Sequence, residues 1–144
     1  MLIAQISDTH LLEQGAEHAS AELRADCLRR CVADINRQHP DAVILTGDTV
    51  QHGKPEEYAR LRELLAPLEA PLFLVPGNRD DKVAMRVSFD DLDYAKGTGE
   101  FLHYVIEDYD TRLIGIDSTL AVPGLQSVAR ATDTPLPQMA RPSG

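Results

Sequence analysis

The hydrophobic positions fall into three short continuous runs separated by two longer stretches with helical spacing. Residues 2–7, then Ala42-Val43-Ile44-Leu45-Thr46, then Pro71-Leu72-Phe73-Leu74-Val75 have strand length, and the second and third are almost wholly apolar. That is the pattern of strands buried on both faces. Between the first two runs, Leu23, Cys27, Leu28, Cys31, Val32 and Ile35 recur at helical spacing. They predict a helix from an N-cap at Ser20 to about His39, where Pro40 stops it. Tyr58, Leu61, Leu64, Leu65 and Leu68 predict a second helix, opened by Pro55 with Glu56 and Glu57 at the positive end of its dipole. A third is predicted over Asp81–Val87. Alternating strands and helices predict an α/β fold: a βαβαβ unit with right-handed crossovers and a parallel sheet between helix layers.

The second half changes character. Residues 88–100 are acidic and glycine-containing and read as a surface connection. Residues 101–107 and 112–117 read as an antiparallel hairpin turning at Asp108–Thr111. From Leu120 onward neither period survives. The expectation is therefore a domain over residues 1–119 followed by an irregular tail over 120–144.

Composition narrows the function classes. With 144 residues the chain suits one domain with a real core. A net charge of -9 argues against a nucleic-acid surface, which needs a basic patch. No apolar run approaches the ~20 residues needed to cross a bilayer. The N-terminus has no basic segment ahead of its apolar stretch, so no signal peptide is expected and cytoplasm is the default location. Cys27 and Cys31, four apart on one predicted helix face, are expected to pack as small hydrophobes.

The chemistry gathers at the strand ends. Each of the three strands runs into a polar cluster: Asp8 and His10, then Gly47-Asp48, then Gly77-Asn78-Arg79-Asp80. In an open parallel sheet these carboxyl ends share one edge, outside which ligands bind. If the segment after strand one is extended, Asp8 and His10 project to the same side. A carboxylate beside an imidazole suits a first-row divalent metal, and the glycines allow tight turns or close backbone approach. Residues 47–55 superficially resemble a phosphate loop, but the glycine spacing is one residue too long and Pro55 stands where Ser or Thr is needed. No dinucleotide fingerprint, nucleophile elbow or Cys-x-x-Cys is present.

Taken together, Ile6-Ser7-Asp8-Thr9-His10, Gly47-Asp48-Thr49-Val50, Gly53-Lys54-Pro55-Glu56-Glu57-Tyr58, Val75-Pro76-Gly77-Asn78 and Ile116-Asp117-Ser118 resemble the calcineurin-like metallophosphoesterases. The likeness is strongest to the branch of bacterial glycerophosphodiesterases and class III cyclic-nucleotide phosphodiesterases, and it runs from residue 1 to about 119. It implies the metallophosphoesterase α/β sandwich, of which this chain would be the N-terminal portion. It also implies two adjacent divalent ions (Mn, Fe, Zn or Co), with Asp8 and His10 on the first, Asp48 bridging both and Asn78 on the second. A hydroxide activated by the two metals would attack the phosphorus of a small phosphodiester such as cyclic AMP or a glycerophosphodiester.

The chain departs from the family pattern twice. Arg79 stands where the family has a histidine that helps protonate the leaving oxygen. A guanidinium can clamp phosphate alongside Asn78 but does not give up a proton at neutral pH. Asp80, which in the family orients that histidine, is expected either to pair with Arg79 or to cap the next helix. Secondly, the later lone His and Gly-His-x-His segments are absent, which reads as a truncated member. His52 is the one spare ligand candidate near Asp48; His18 and His103 read as surface or packing residues. An uncovered sheet face would invite association between copies. The alternative reading is a non-catalytic remnant or binding module with weak metal or phosphate affinity.

Overall fold

A computed structural model describes residues 1–16, 19–96 and 99–119. Its elements in order are β1 (Ile3–Ser7), α1 (Ala21–Gln38), β2 (Ala42–Gly47), α2 (Pro55–Leu65), β3 (Leu72–Pro76), α3 (Lys82–Ser88), a short 3₁₀ turn (Asp93–Ala95), β4 (Tyr104–Ile106) and β5 (Leu113–Gly115). β1, β2 and β3 form a parallel sheet in that order, with Ile6 opposite Leu45 and Leu45 opposite Leu74. β4 and β5 pair antiparallel. The expected α/β architecture with its following hairpin is present. The tail expected over 120–144, and His18, lie outside the described residues.

The sheet register sorts side chains by face. Ala4, Ile6, Val43, Leu45 and Leu74 share one face and enter a single core with Ala25, Leu28 and Val32 of α1 and Tyr58, Leu61 and Leu65 of α2. α1 and α2 also touch, the buried Arg60 donating to Glu22 at 2.8 Å, and Asn36 of α1 donates to the carbonyl of Pro67, just beyond α2, at 2.7 Å. Successive crossovers of one hand between neighbouring strands place their helices on the same side. Helix layers on both faces are therefore not found among the described residues. On the opposite face Phe73 of β3 packs with Tyr94 and Tyr104 at ring separations of 5.4 and 6.2 Å, and Ala42 of β2 is fully buried. At β1 the same face leaves Ile3, Gln5 and Ser7 exposed.

Three local expectations are corrected. Cys27 and Cys31 are exposed, as is Leu23; the buried stripe of α1 is Ala21, Ala25, Leu28 and Val32. The small alanines carry the contact, so a reading keyed to larger apolar residues rotated the helix towards its flank. Residues 88–100 are more than a surface connection, since Phe89 and Ala95 are buried and the Tyr94 hydroxyl accepts the Leu74 N–H at 2.9 Å. The hairpin strands are shorter than predicted because side chains take over the pairing at the open end. The buried Asp117 carboxylate accepts the Leu102 N–H at 2.9 Å, and His103 Nδ1 accepts the Asp117 N–H at 3.0 Å.

Candidate metal centre

Beyond β1 the chain keeps company with the chain beyond β2. The N–H groups of Asp8, His10 and Leu11 donate to the carbonyls of Thr46, Asp48 and Thr49 at 3.0, 3.0 and 3.1 Å. Asp8 and His10 nevertheless have φ of 52° and 45°, so the segment is not extended. The two side chains converge through a left-handed backbone, a conformation that Asp and His adopt more readily than most residues. Such strain costs on the order of 1–3 kcal/mol per residue and collects at functional sites. The extended geometry expected for this motif is thus replaced by a more specific one.

The ligand atoms of Asp8, His10 and Asp48 all lie within 4.8 Å of one another. His10 Nε2 and Asp48 Oδ2 are 4.0 Å apart, too far for a hydrogen bond and within the span of two ligands at ~2.0–2.2 Å from one ion. His10 Nδ1 is buried without a hydrogen-bond partner among the described residues. The glycines make the room: a Cβ on Gly47 would stand 2.6 Å from Asp8 Oδ1, and one on Gly77 would stand 2.2 Å from Asp48 Oδ1. Two carboxylates and an imidazole, in a cradle that two Cβ atoms would fill, fit a divalent ion on the Nε2 side of His10.

The turn after β3 is organised by Asp80. Its carboxylate accepts the N–H groups of Gly77 and Thr49 at 2.9 and 3.0 Å, the Thr49 hydroxyl, and the Tyr58 hydroxyl at 2.9 Å. Burial pushes the Asp80 carboxyl above its ordinary range against these donors, and it pushes the Tyr58 hydroxyl up as well. Asp80 neither pairs with Arg79 nor caps the next helix. Asp81 is the cap of α3, accepting the Val83 and Ala84 N–H groups at 2.9 Å. Asn78 is exposed on the turn. Arg79 turns to Asp48 instead: its N–H donates to Oδ1 at 2.9 Å and its Nε lies 3.7 Å from Oδ2. The position implied for a second ion, between Asp48 and Asn78, therefore already has a cation beside its shared ligand.

His52 belongs to a different group. With Glu13 and Glu57 it forms a second cluster, in which His52 Nδ1 meets the fully buried Glu57 at 2.9 Å and Lys54 Nζ meets Glu13 at 3.0 Å. Glu57 also reaches back from the first turn of α2 to accept the His52 and Lys54 N–H groups at 2.9 and 3.1 Å. That is the N-terminal lock of a helix. Half of the sequence signal was available, since Glu57 stands at the third position of the helix, but Lys54 is not one of the usual capping residues. Thr49 and Tyr58, which hold Asp80, had no such signal because their partner lies on another strand end.

A parallel α/β sheet whose carboxyl edge carries this carboxylate–imidazole–carboxylate set places the chain among α/β proteins with side chains that could hold a divalent metal at the strand ends. The sequence profile of the calcineurin-like phosphoesterases matches residues 1–138, and the chain belongs to that family. It is 40% identical over 125 residues to a glycerophosphodiester phosphodiesterase (GpdQ) of Enterobacter lignolyticus, covering 84% of this chain and 45% of the relative. It is 31% identical over 128 residues to a 3',5'-cyclic adenosine monophosphate phosphodiesterase (CpdA) of Pseudomonas aeruginosa, covering 86% and 44%. The chain thus spans about half the length of the curated relatives it matches. Among the described residues no helix is long and apolar enough to cross a membrane.

Proposed function

We propose that the chain carries the metal centre of a phosphodiesterase acting on a small phosphodiester, either a glycerophosphodiester or a cyclic nucleotide, the two kinds of substrate named among its relatives. The observation that carries this reading is the convergence of Asp8, His10 and Asp48 at the carboxyl edge of the parallel sheet. A divalent ion bound there (Mn, Fe, Zn or Co, which a mixed N/O donor set does not separate) supplies a Lewis acid and an acidified water.

The chain's own residues do the rest. Asp8, His10 and Asp48 hold the ion, and the Arg79 N–H fixes the orientation of Asp48. The Arg79 side chain, 46% exposed, presents its planar fork to the phosphate oxygens, with Asn78 a further polar group on the same turn. Asp80 holds that turn in place. A guanidinium does not release a proton, so the leaving oxygen departs without an acid from this motif. General acid help is worth ~10²–10⁴-fold, so aryl diesters, with their stable leaving groups, are turned over far better than alkyl diesters.

The test is to dialyse the purified 144-residue chain against manganese and assay bis(4-nitrophenyl) phosphate. Retained metal and turnover, both removed by Asp48→Ala while the circular dichroism spectrum persists, are expected. A chain that retains no metal and hydrolyses nothing would overturn the proposal.

A further inference from the structure

We infer that the Arg79 guanidinium takes the place of a second metal ion, so that Asp48 is shared between one divalent ion on its His10 side and a built-in cation on its Arg79 side. The inference rests on the reading of Asp8, His10 and Asp48 as a metal centre and deepens it.

Three observations support it. Arg79 Nε is 3.7 Å from the same Asp48 oxygen, Oδ2, that lies 4.0 Å from His10 Nε2. A second ion ligated by that oxygen on the Arg79 side would sit within bonding distance of the guanidinium and be repelled by it. The other oxygen, Oδ1, is held by the Arg79 N–H at 2.9 Å, so the backbone bond anchors Arg79 at Asp48 while its side chain stands beside Oδ2 as an ion-pair neighbour. The turn is not free to withdraw. Asp80 ties it to Gly77, Thr49 and Tyr58, and Gly77 lies so close to Asp48 that a Cβ there would meet Oδ1 at 2.2 Å.

The charge balance agrees. Two carboxylates against one guanidinium leave one net negative charge at the centre. A single divalent ion turns this into one net positive charge, which a phosphodiester monoanion neutralises. A second divalent ion would leave a large positive excess, and the Asp80 carboxylate on the same turn is already taken up by its own donors.

The test is to titrate the metal-free chain with Mn²⁺ alone, counting bound ions from the loss of the free-ion paramagnetic resonance signal and reading the frozen spectrum for coupling between ions. Wild type is expected to bind one Mn²⁺ per chain with an uncoupled spectrum. Arg79→Met, which keeps the length of the side chain and removes its charge, is expected to tighten Mn²⁺ binding roughly tenfold. Arg79→Lys, which keeps the charge, is expected to stay close to wild type. A merely structural arginine would not tighten a metal when removed. Two tightly bound, spin-coupled ions in wild type, or Arg79→Met with unchanged affinity, would overturn the inference and leave the metal centre standing. No bound Mn²⁺ in either wild type or Arg79→Met would overturn both.

Discussion

Asp48 and Asp80 stand at the ends of adjacent strands, both are largely buried, and their surroundings treat them in opposite ways. Asp80 receives three backbone N–H groups, the Val50 one at a long 3.4 Å, and two hydroxyls, a nearly saturated carboxylate. Asp48, with a side chain 12% exposed, receives one N–H, from Arg79, and faces His10 and Arg79 across gaps of 4.0 and 3.7 Å. A buried charge is costly unless it is paired and hydrogen-bonded. By that criterion Asp80 is a structural group, whereas Asp48 is a site that becomes comfortable when a cation arrives. The residue type is the same, but Asp48 directly follows β2 while Asp80 stands four residues beyond β3, and the difference lies in which donors each turn aims inward.

The sharpest way to break this comparison is to delete each carboxylate. Asp80→Ala leaves buried N–H groups and the Tyr58 hydroxyl unpartnered, and is expected to cost about 3–5 kcal/mol in urea unfolding of the metal-free chain. Asp48→Ala removes an under-partnered charge. It is expected to change metal-free stability by less than about 1 kcal/mol while abolishing manganese retention. Equal destabilisation by the two would show that Asp48 too is structural. Next in size is Gly77→Ala, whose Cβ would stand 2.2 Å from Asp48 Oδ1 and 2.4 Å from its backbone nitrogen. Because one of those neighbours is backbone, we expect a loss of about 2–4 kcal/mol together with weakened metal binding. Gly15→Ala, with nothing within 4 Å of the new Cβ, is the control for backbone preference alone and is expected to cost about 1 kcal/mol.

These contrasts also mark where the sequence was legible. The strands, the helices and the shared edge follow from apolar periodicity, because burial dictates which positions are apolar; β2 and β3 match the runs that predict them to within one residue at each end. Asp8, His10 and Asp48 are brought together as expected because strand ends of a parallel sheet share an edge. The roles of Arg79 and Asp80 were not legible. Their partners are Asp48, Thr49 and Tyr58, 22 to 31 positions away, and only the packing of α2 against the turn decides which donor meets which carboxylate. The left-handed backbone at Asp8 and His10 was hidden for a related reason, since nothing at either position demands it locally and it is imposed by pairing with the chain beyond β2. The face of α1 was misjudged because alanines made the contact.

A third buried carboxylate, Asp117 at the hairpin, refines the comparison at smaller scale. Burial alone would raise its carboxyl. Hydrogen bonds from Thr119, the Leu102 N–H and Lys82, whose Nζ is 2.9 Å away, outweigh burial and hold it below the ordinary value. A group whose native pKa is depressed contributes stability above its unfolded pKa and loses it as pH falls through the native one. Asp117→Asn keeps the shape and removes the charge, so it is expected to cost about 1–2 kcal/mol at pH 7. That deficit should shrink as pH falls below the unfolded value of ~3.9 towards the native pKa, where wild type surrenders the same interaction. Urea unfolding of both proteins at pH 7, 5 and 3 measures the gap. A gap that stays constant across that range would mean the Asp117 charge adds nothing, and that saturation by donors, which distinguishes Asp80 from Asp48, works there through shape alone.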